Sequence, residues 1–353
     1  MSALRRSAAL VLLAACATTG DSGEGDRNLP NAGVGPFRKL AAEEVKGSAP
    51  FVLDDPQALY REPAVLRDGN DTLLFAIAHV GDEDVIVRTR ASDERTFYGT
   101  SGQFGKKPLV VLSPDAGSEV ALSGPALMRI GGELFLYYAG ARGIGVARSA
   151  DGRTFAKEPA PILSSDARPG TWETTAPRAP TVFAQPDGRY RMLYAAGSSI
   201  GEAESTDGLA WTRVGLSPVL TPAPVPAPGT LLPNEKPPFD TAAVGDPCVT
   251  TRTTPGGRFH VRVLYTGTDL TGATAIGLAA RYGSSGPLDR QPIPVYSVNQ
   301  AEAAPALLDL GDSSFLYVQQ NERSGGQSFV AIAAAVAPGT IALPPAADYP
   351  DSP

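Results

Sequence analysis

Two carboxylates in this chain stand directly before a proline, in Glu62-Pro63-Ala64-Val65 and Asp246-Pro247-Cys248-Val249. A third, Glu302, stands two residues before Ala304 in Ala304-Pro305-Ala306-Leu307. Carboxyl groups delivered to one place perform general acid–base chemistry: one gives a proton to a leaving group while another takes one from a nucleophile. Other chemistries are poorly supplied. His79 and His260 are the two histidines, so His-based zinc sites and Ser-His-Asp triads are not expected. Cys248 fills a repeat position held elsewhere by Ala64, Ala126, Thr181 and Ala306, so it reads as a small core residue, not a catalytic thiol. No metal site and no cofactor is expected.

The acids matter only if a fold gathers them. The X-Pro-small-apolar phrase occurs five times, the other copies being Gly124-Pro125-Ala126-Leu127 and Ala179-Pro180-Thr181-Val182, and its prolines step by 62, 55, 67 and 58 residues. Such a period marks a repeated supersecondary unit whose copies bury their faces against each other. The 353 residues are 42% hydrophobic and 19% charged, with 38 Gly and 33 Pro, which favours a turn-rich all-β protein. A net charge of −7 without a basic stripe gives no footprint for nucleic acid.

Each unit carries four strand signals. The X-Pro strand comes first. A run apolar on consecutive residues follows, such as Leu134-Phe135-Leu136-Tyr137-Tyr138, as expected of a strand buried on both faces. A small-apolar strand is third, as in Ile144-Gly145-Val146-Ala147 and Ile200-Gly201-Glu202-Ala203. Asp151-Gly152 and Asp207-Gly208 then mark tight turns, where glycine supplies a positive φ. Phe155 and Trp211 recur after the turn and read as core. The fourth strand ends in Pro161-Ile162-Leu163 or Pro218-Val219-Leu220. Five such antiparallel meanders around an axis make an all-β, five-bladed β-propeller. Pro50-Phe51-Val52-Leu53 matches the fourth-strand ending but precedes the first unit, so the N-terminal strand is expected to close the ring on the last blade. The expected propeller spans 50–341, followed by a tail at 342–353. A closed ring leaves no edge for assembly, which predicts a monomer.

Five blades, the Asp-Pro or Glu-Pro start of the inner strand, Ile-Gly-x-Ala on the third strand and Ser-x-Asp-Gly-x-x-aromatic resemble the five-bladed propeller glycosidases, glycoside hydrolase families 32, 43, 62, 68 and 130. Phe239-Asp240 followed by Gly245-Asp246-Pro247 is similar to the same group. The resemblance covers most of 50–340. It implies a site at the funnel mouth where the inner strands begin, cleaving a glycosidic bond in an oligosaccharide or polysaccharide by hydrolysis or phosphorolysis with a carboxylate pair. Glu62, Asp246 and Glu302 are then the candidate catalytic residues. Arg61, Arg178, Glu173, Trp172 and Asp240 are candidate substrate contacts, with Trp172 placed to stack on a sugar ring and the arginines to pair with charge or hydrogen-bond hydroxyls. Glu119 stands in a further entry loop. The chain departs from family 43 in offering no acid at the slots of blades two and three, and in placing Glu62 where an aspartate base is expected. Three functions stay open: a glycan-acting enzyme, a non-catalytic surface propeller that binds glycan or protein with a degenerate active site, and a scaffold presenting loops.

The N-terminus reads as targeting sequence. Arg5 and Arg6 precede an apolar stretch at 8–15, and Leu13-Ala14-Ala15-Cys16 resembles a bacterial lipoprotein signal, cut before a cysteine that carries the lipid. That resemblance implies lipidation at Cys16, a signal peptide at 1–16, and membrane contact only through the anchor. Residues 17–49 read as a polar tether. By resemblance to enteric lipoproteins, Ala17 rather than Asp after the cysteine implies the outer membrane of the cell envelope.

Overall fold

The computed structural model describes residues 37–338 apart from 48, 56–57, 98–106, 116–120, 167, 169, 232–235, 254–256, 312 and 325–326. The signal segment with Cys16, residues 17–36, Glu119 and the tail 342–353 lie outside the described residues.

Among the described residues the strands form five antiparallel sheets arranged as the blades of a propeller. Blade one is Arg61–Asp68, Asp71–Val80, Glu83–Ala91 and Leu109–Leu112. Blade two runs from Ser123–Ile130 through Glu133–Gly140 and Gly143–Ser149 to an outer strand split into Ala156–Lys157 and Leu163–Ser164. Blades three and four begin at Arg178–Ala184 and Ala243–Thr253. Blade five has Glu302–Asp309, Ser313–Ser324 and Gln327–Pro338, with Arg38–Lys39 as its outermost strand. Each inner strand contacts the next, and that of blade five contacts that of blade one.

The consecutive apolar runs have a direct cause. Leu134, Leu136 and Tyr138 pack into the interface with blade one, beside Leu73, Phe75 and Ile77. Phe135 and Tyr137, pointing the other way, pack with Met192 and Tyr194 of blade three. A pleated strand between two neighbours must be apolar on both faces. The Asp-Gly turns form as expected: Asp207 Oδ1 accepts from the N–H groups of Leu209 and Ala210, and Gly208 has φ 78°. The recurring aromatic after the turn reaches back one blade. Phe155 meets Phe75 edge-on at 6.0 Å, Trp211 meets Tyr137 at 6.0 Å, and Phe97 of blade one meets Tyr317 of blade five at 5.9 Å.

That last pair helps to close the ring, and the N-terminal strand completes it. Leu53 bridges Ile332 just as Leu220 bridges Ile200 and Tyr296 bridges Ile276. Of the stretch 17–49 expected to be tether, residues 37–47 and Ala49 are instead part of the propeller. Lys39 pairs with Ala335, the place that Lys157 takes against Ala147, Arg213 against Ala203 and Arg290 against Ala279. A short helix, Ala42–Val45, follows, and Leu40 and Val45 are buried in the core between blades one and five. Three anchors among polar residues suffice to order the segment, although its composition reads as solvated.

Candidate functional site at the funnel mouth

The residue before each repeat proline adopts the same rare conformation. Glu62, Gly124, Ala179, Asp246 and Ala304 have φ of 51°, 54°, 47°, 46° and 49°. Each sits in a break of strand register, for example between Arg61 and Ala64 and between Gly245 and Cys248. These are β-bulges with the bulged residue in the left-handed region, which costs a non-glycine residue about 1–2 kcal/mol. The five X-Pro pairs line one funnel mouth, a narrow open space of about 40 Å³. The glycine of blade two has a steric reason: a Cβ there would lie 2.6 Å from the Cα of Ala179. Blades two, three and five therefore close the mouth with small residues, and blades one and four bring carboxylates into it.

Glu62 and Asp246 are the two predicted catalytic residues that the structure brings together. The Glu62 carboxylate accepts a hydrogen bond from the Gly124 N–H of the neighbouring blade. A quarter of its side chain (26%) stays open to the funnel while protein packs around the rest. Burial raises its carboxyl above the ordinary value, and the charge of Asp246 raises it further, against the opposing pull of the Gly124 N–H, Arg61 and Arg178. Asp246 faces Arg178, with Oδ1 3.6 Å from the guanidinium. Arg178 leans across from blade three, its nitrogens 3.8 and 3.9 Å from where a Cβ on Gly245 would stand, an ordinary contact distance. Arg61 lies beside Glu62 at 3.7 Å but is gripped by Asp84, at 2.5 Å. Asp84 also takes His79 Nδ1 at 3.0 Å. Neither Asp84 nor His79 was marked by the sequence, because only strand register places their hairpin against Arg61.

The other predicted site residues go elsewhere. Glu302 is fully buried and turned onto its own entry loop, accepting from the N–H groups of Val298, Asn299 and Ala301 and from the Ser297 hydroxyl. It does not line the mouth. Glu302→Ala is expected to cost about 1–3 kcal/mol of stability by orphaning those donors, with funnel activity per folded molecule unchanged. Urea melts and turnover measured together check this.

Glu173 and Asp240, expected at substrate, form matching clamps inside their blades. Tyr194 donates to Glu173 at 2.7 Å and Arg213 pairs with it at 2.6 and 2.7 Å. Tyr265 donates to Asp240 at 2.9 Å and Arg290 pairs with it at 2.6 Å. Trp172 and Phe239, the residues just before these acids, stack on the same tyrosines at 6.1 Å in both blades. An acid with both a tyrosine and an arginine on it is occupied, and Trp172 is a packing residue. Arg213 and Arg290 come from outer strands that place an apolar residue two before a cation, in Trp211-Thr212-Arg213 and Leu288-Asp289-Arg290. Phe155-Ala156-Lys157 and Phe37-Arg38-Lys39 share the pattern, but Lys157 pairs with Asp115 and Lys39 bonds to Gln320. The last copy also marks the true outer strand of blade five.

Cys248 packs in the core of blades four and five, its Sγ accepting from the Leu307 N–H at 3.3 Å, and burial pushes its thiol up to about 11. Among the described residues no three His, Cys, Asp or Glu side chains gather as a metal site.

No protein-family model and no curated protein matches the chain. Solved structures do match it in fold. A proposed glycoside hydrolase from Parabacteroides distasonis superposes with a TM-score of 0.61 at 16% identity, covering 88% of this chain and 98% of that one. A structure from glycoside hydrolase family 130, mannoside phosphorylases among which are hydrolases targeting β-1,2-mannosidic linkages in Candida mannan, gives 0.58 at 15%, covering 85% and 93%. A family 117 glycoside hydrolase from Zobellia galactanivorans gives 0.58 at 12%, covering 88% and 92%. At such identities the likeness establishes the fold, the five-bladed propeller of these glycosidases.

Proposed function

We propose that the funnel mouth takes a saccharide and that Glu62 and Asp246 act on its glycosidic bond as proton donor and base. One observation carries this reading. Two of the five strained slots around a single mouth hold carboxylates, and burial together with the other's charge favours the protonated form of Glu62. Glu62 then protonates the leaving oxygen, and Asp246 takes the proton from the attacking water. Phosphorolysis would use the same donor, with Arg178 as charge partner for phosphate. The test is turnover of a panel of aryl glycosides and oligosaccharides, with and without phosphate, by the wild type and by Glu62→Gln and Asp246→Asn. Equal inertness of all three sinks the enzymatic reading.

A second reading has its own observation. With Glu302 withdrawn into its loop, no third acid from a repeat position tunes the pair, and Gly124, Ala179 and Ala304 hold the other slots. A funnel of this kind would bind a glycan or a protein without cleaving it. Binding on a glycan array in the absence of turnover would select it.

We also place the chain in the bacterial cell envelope, outer membrane, anchored through lipid on Cys16. Cys16→Ser is expected to abolish fatty-acid labelling and release the protein from the membrane fraction. An unlabelled wild type would refute the anchor.

A further inference from the structure

We propose that Asp84 is a positioning residue of the funnel: by gripping Arg61 it withholds the guanidinium from Glu62 and thereby sets how tightly Glu62 keeps its proton. The proposal rests on the reading of Glu62 as proton donor. It starts from an unbroken chain of polar contacts outside the catalytic pair. His79 Nδ1 lies 3.0 Å from Asp84 Oδ1, Asp84 Oδ2 lies 2.5 Å from Arg61, and Arg61 Nε lies 3.7 Å from Glu62 Oε1. Arg61 thus has a direct ion pair with Asp84 and only a longer one with Glu62.

The holder is itself held. Asp84 is the cross-strand partner of His79 at the hairpin of blade one. Its carbonyl accepts the Leu122 N–H, so the hairpin is fastened to the residue that leads into the inner strand of blade two. Blades three and four make the same tie at their junction, where Ser198 accepts the Val244 N–H. Asp84 also behaves as a firmly charged group. Burial works to raise its carboxyl, but the bonds from Arg61 and His79 outweigh this and keep it below the ordinary value.

Glu62 is faced from every blade it meets. Arg61, on its own strand, and Arg178 of blade three are the cations, Asp246 of blade four is the anion, and blades two and five contribute the Gly124 N–H and Ala304. Of the two cations, Arg178 already leans on Asp246. Arg61 is the cation within ion-pair range of Glu62, at 3.7 Å, and the shorter contact with Asp84 is what holds it off. A guanidinium moved into contact favours the charged carboxylate. If Asp84 lets go, Arg61 closes on Glu62 and the proton is lost at lower pH.

The experiment follows Glu62 directly. The carboxyl titration is read by carbon NMR on protein labelled at glutamate side chains, the Glu62 signal being assigned by its loss in Glu62→Gln. Asp84→Asn is expected to move the Glu62 midpoint down, and Arg61→Gln to move it up. Glycan turnover at a fixed pH on the basic limb should fall about tenfold in Asp84→Asn, for a shift of about one pH unit, and recover in Asp84→Glu, which can still hold Arg61. The double variant separates positioning from direct charge: in the Arg61→Gln background, Asp84→Asn should add no further shift. A midpoint unmoved by Asp84→Asn, or moved equally in both backgrounds, overturns the proposal. The titration needs no substrate, so the expected shifts without turnover on any glycan would overturn the enzymatic reading and leave the role of Asp84 standing.

Discussion

Glu62→Gln is expected to lower kcat/KM on any glycan the wild type cleaves by roughly 10²–10⁴-fold, the range for removing a general acid, while the protein stays folded. The variant keeps the shape of the side chain, and its amide oxygen can still accept from the Gly124 N–H that Glu62 engages. Only the proton is missing. The pH profile carries the sign. A donor works while protonated, so activity is lost as pH rises through the Glu62 midpoint, and burial plus the charge of Asp246 carry that limb above the ordinary carboxylate range. Asp246→Asn should lower turnover by a comparable factor, because an amide cannot take the proton from the attacking water. It should also draw the basic limb down, since the charge that helps raise Glu62 is gone. Turnover against pH for the wild type and both variants checks all three. A variant as active as the wild type would exclude its residue from the chemistry.

The largest loss of stability is expected from Glu202→Ala, about 3–5 kcal/mol. Glu202 lies on the third strand of blade three with 1% of its side chain exposed. It pairs with Arg191 of its own blade at 3.4 Å and with Arg281 of blade four, whose side chains are 6% and 3% exposed. Arg281 also donates to the carbonyls of Ser284 and Gly286. Removing the one carboxylate buried with both leaves Arg281 with backbone carbonyls alone and Arg191 with the more exposed Glu204 at 3.4 Å, so an uncompensated guanidinium charge stays in the interface between blades. Urea denaturation measures the loss. Asp187→Ala, which breaks an exposed pair with Arg189, serves as the control and should leave the midpoint where it was. A Glu202→Ala midpoint equally unmoved would show that solvent reaches the cluster.

Glu202 also shows where sequence reasoning stops. It sits in Ile200-Gly201-Glu202-Ala203, a phrase that reads correctly as a small-apolar third strand, yet nothing in the phrase announces that Arg281, 79 residues on, will be its partner. Glu302 is the same lesson at the site. Two residues from a repeat slot, it has the type and spacing of a funnel acid. Its backbone position instead lets four local donors capture the carboxylate before it can reach the axis. Glu173 and Asp240 were drawn from entry loops for the same reason and ended in clamps with Arg213 and Arg290. Conversely, the segment at 37–39 carried its own evidence, an apolar residue two before a cation, but one copy among variable loop lengths does not stand out until the registers align the four.

What the sequence determined by itself is the propeller: five X-Pro strands, apolar runs with no polar face, and a fourth-strand ending stranded at the N-terminus. These are local patterns, and burial on two faces writes itself into consecutive residues. It also determined that two slots, at Glu62 and Asp246, carry acids. Only the tertiary structure decided which acids remain available. A carboxylate is available for chemistry when its donors leave part of it open to the funnel, as at Glu62, and which donors reach it is settled by the folded entry loops, strands and blades around it. The order of residues along the chain does not record that proximity, so the five slots were legible in the sequence, and their division into two acids at the mouth and three small residues closing it acquired meaning only when the ring was closed.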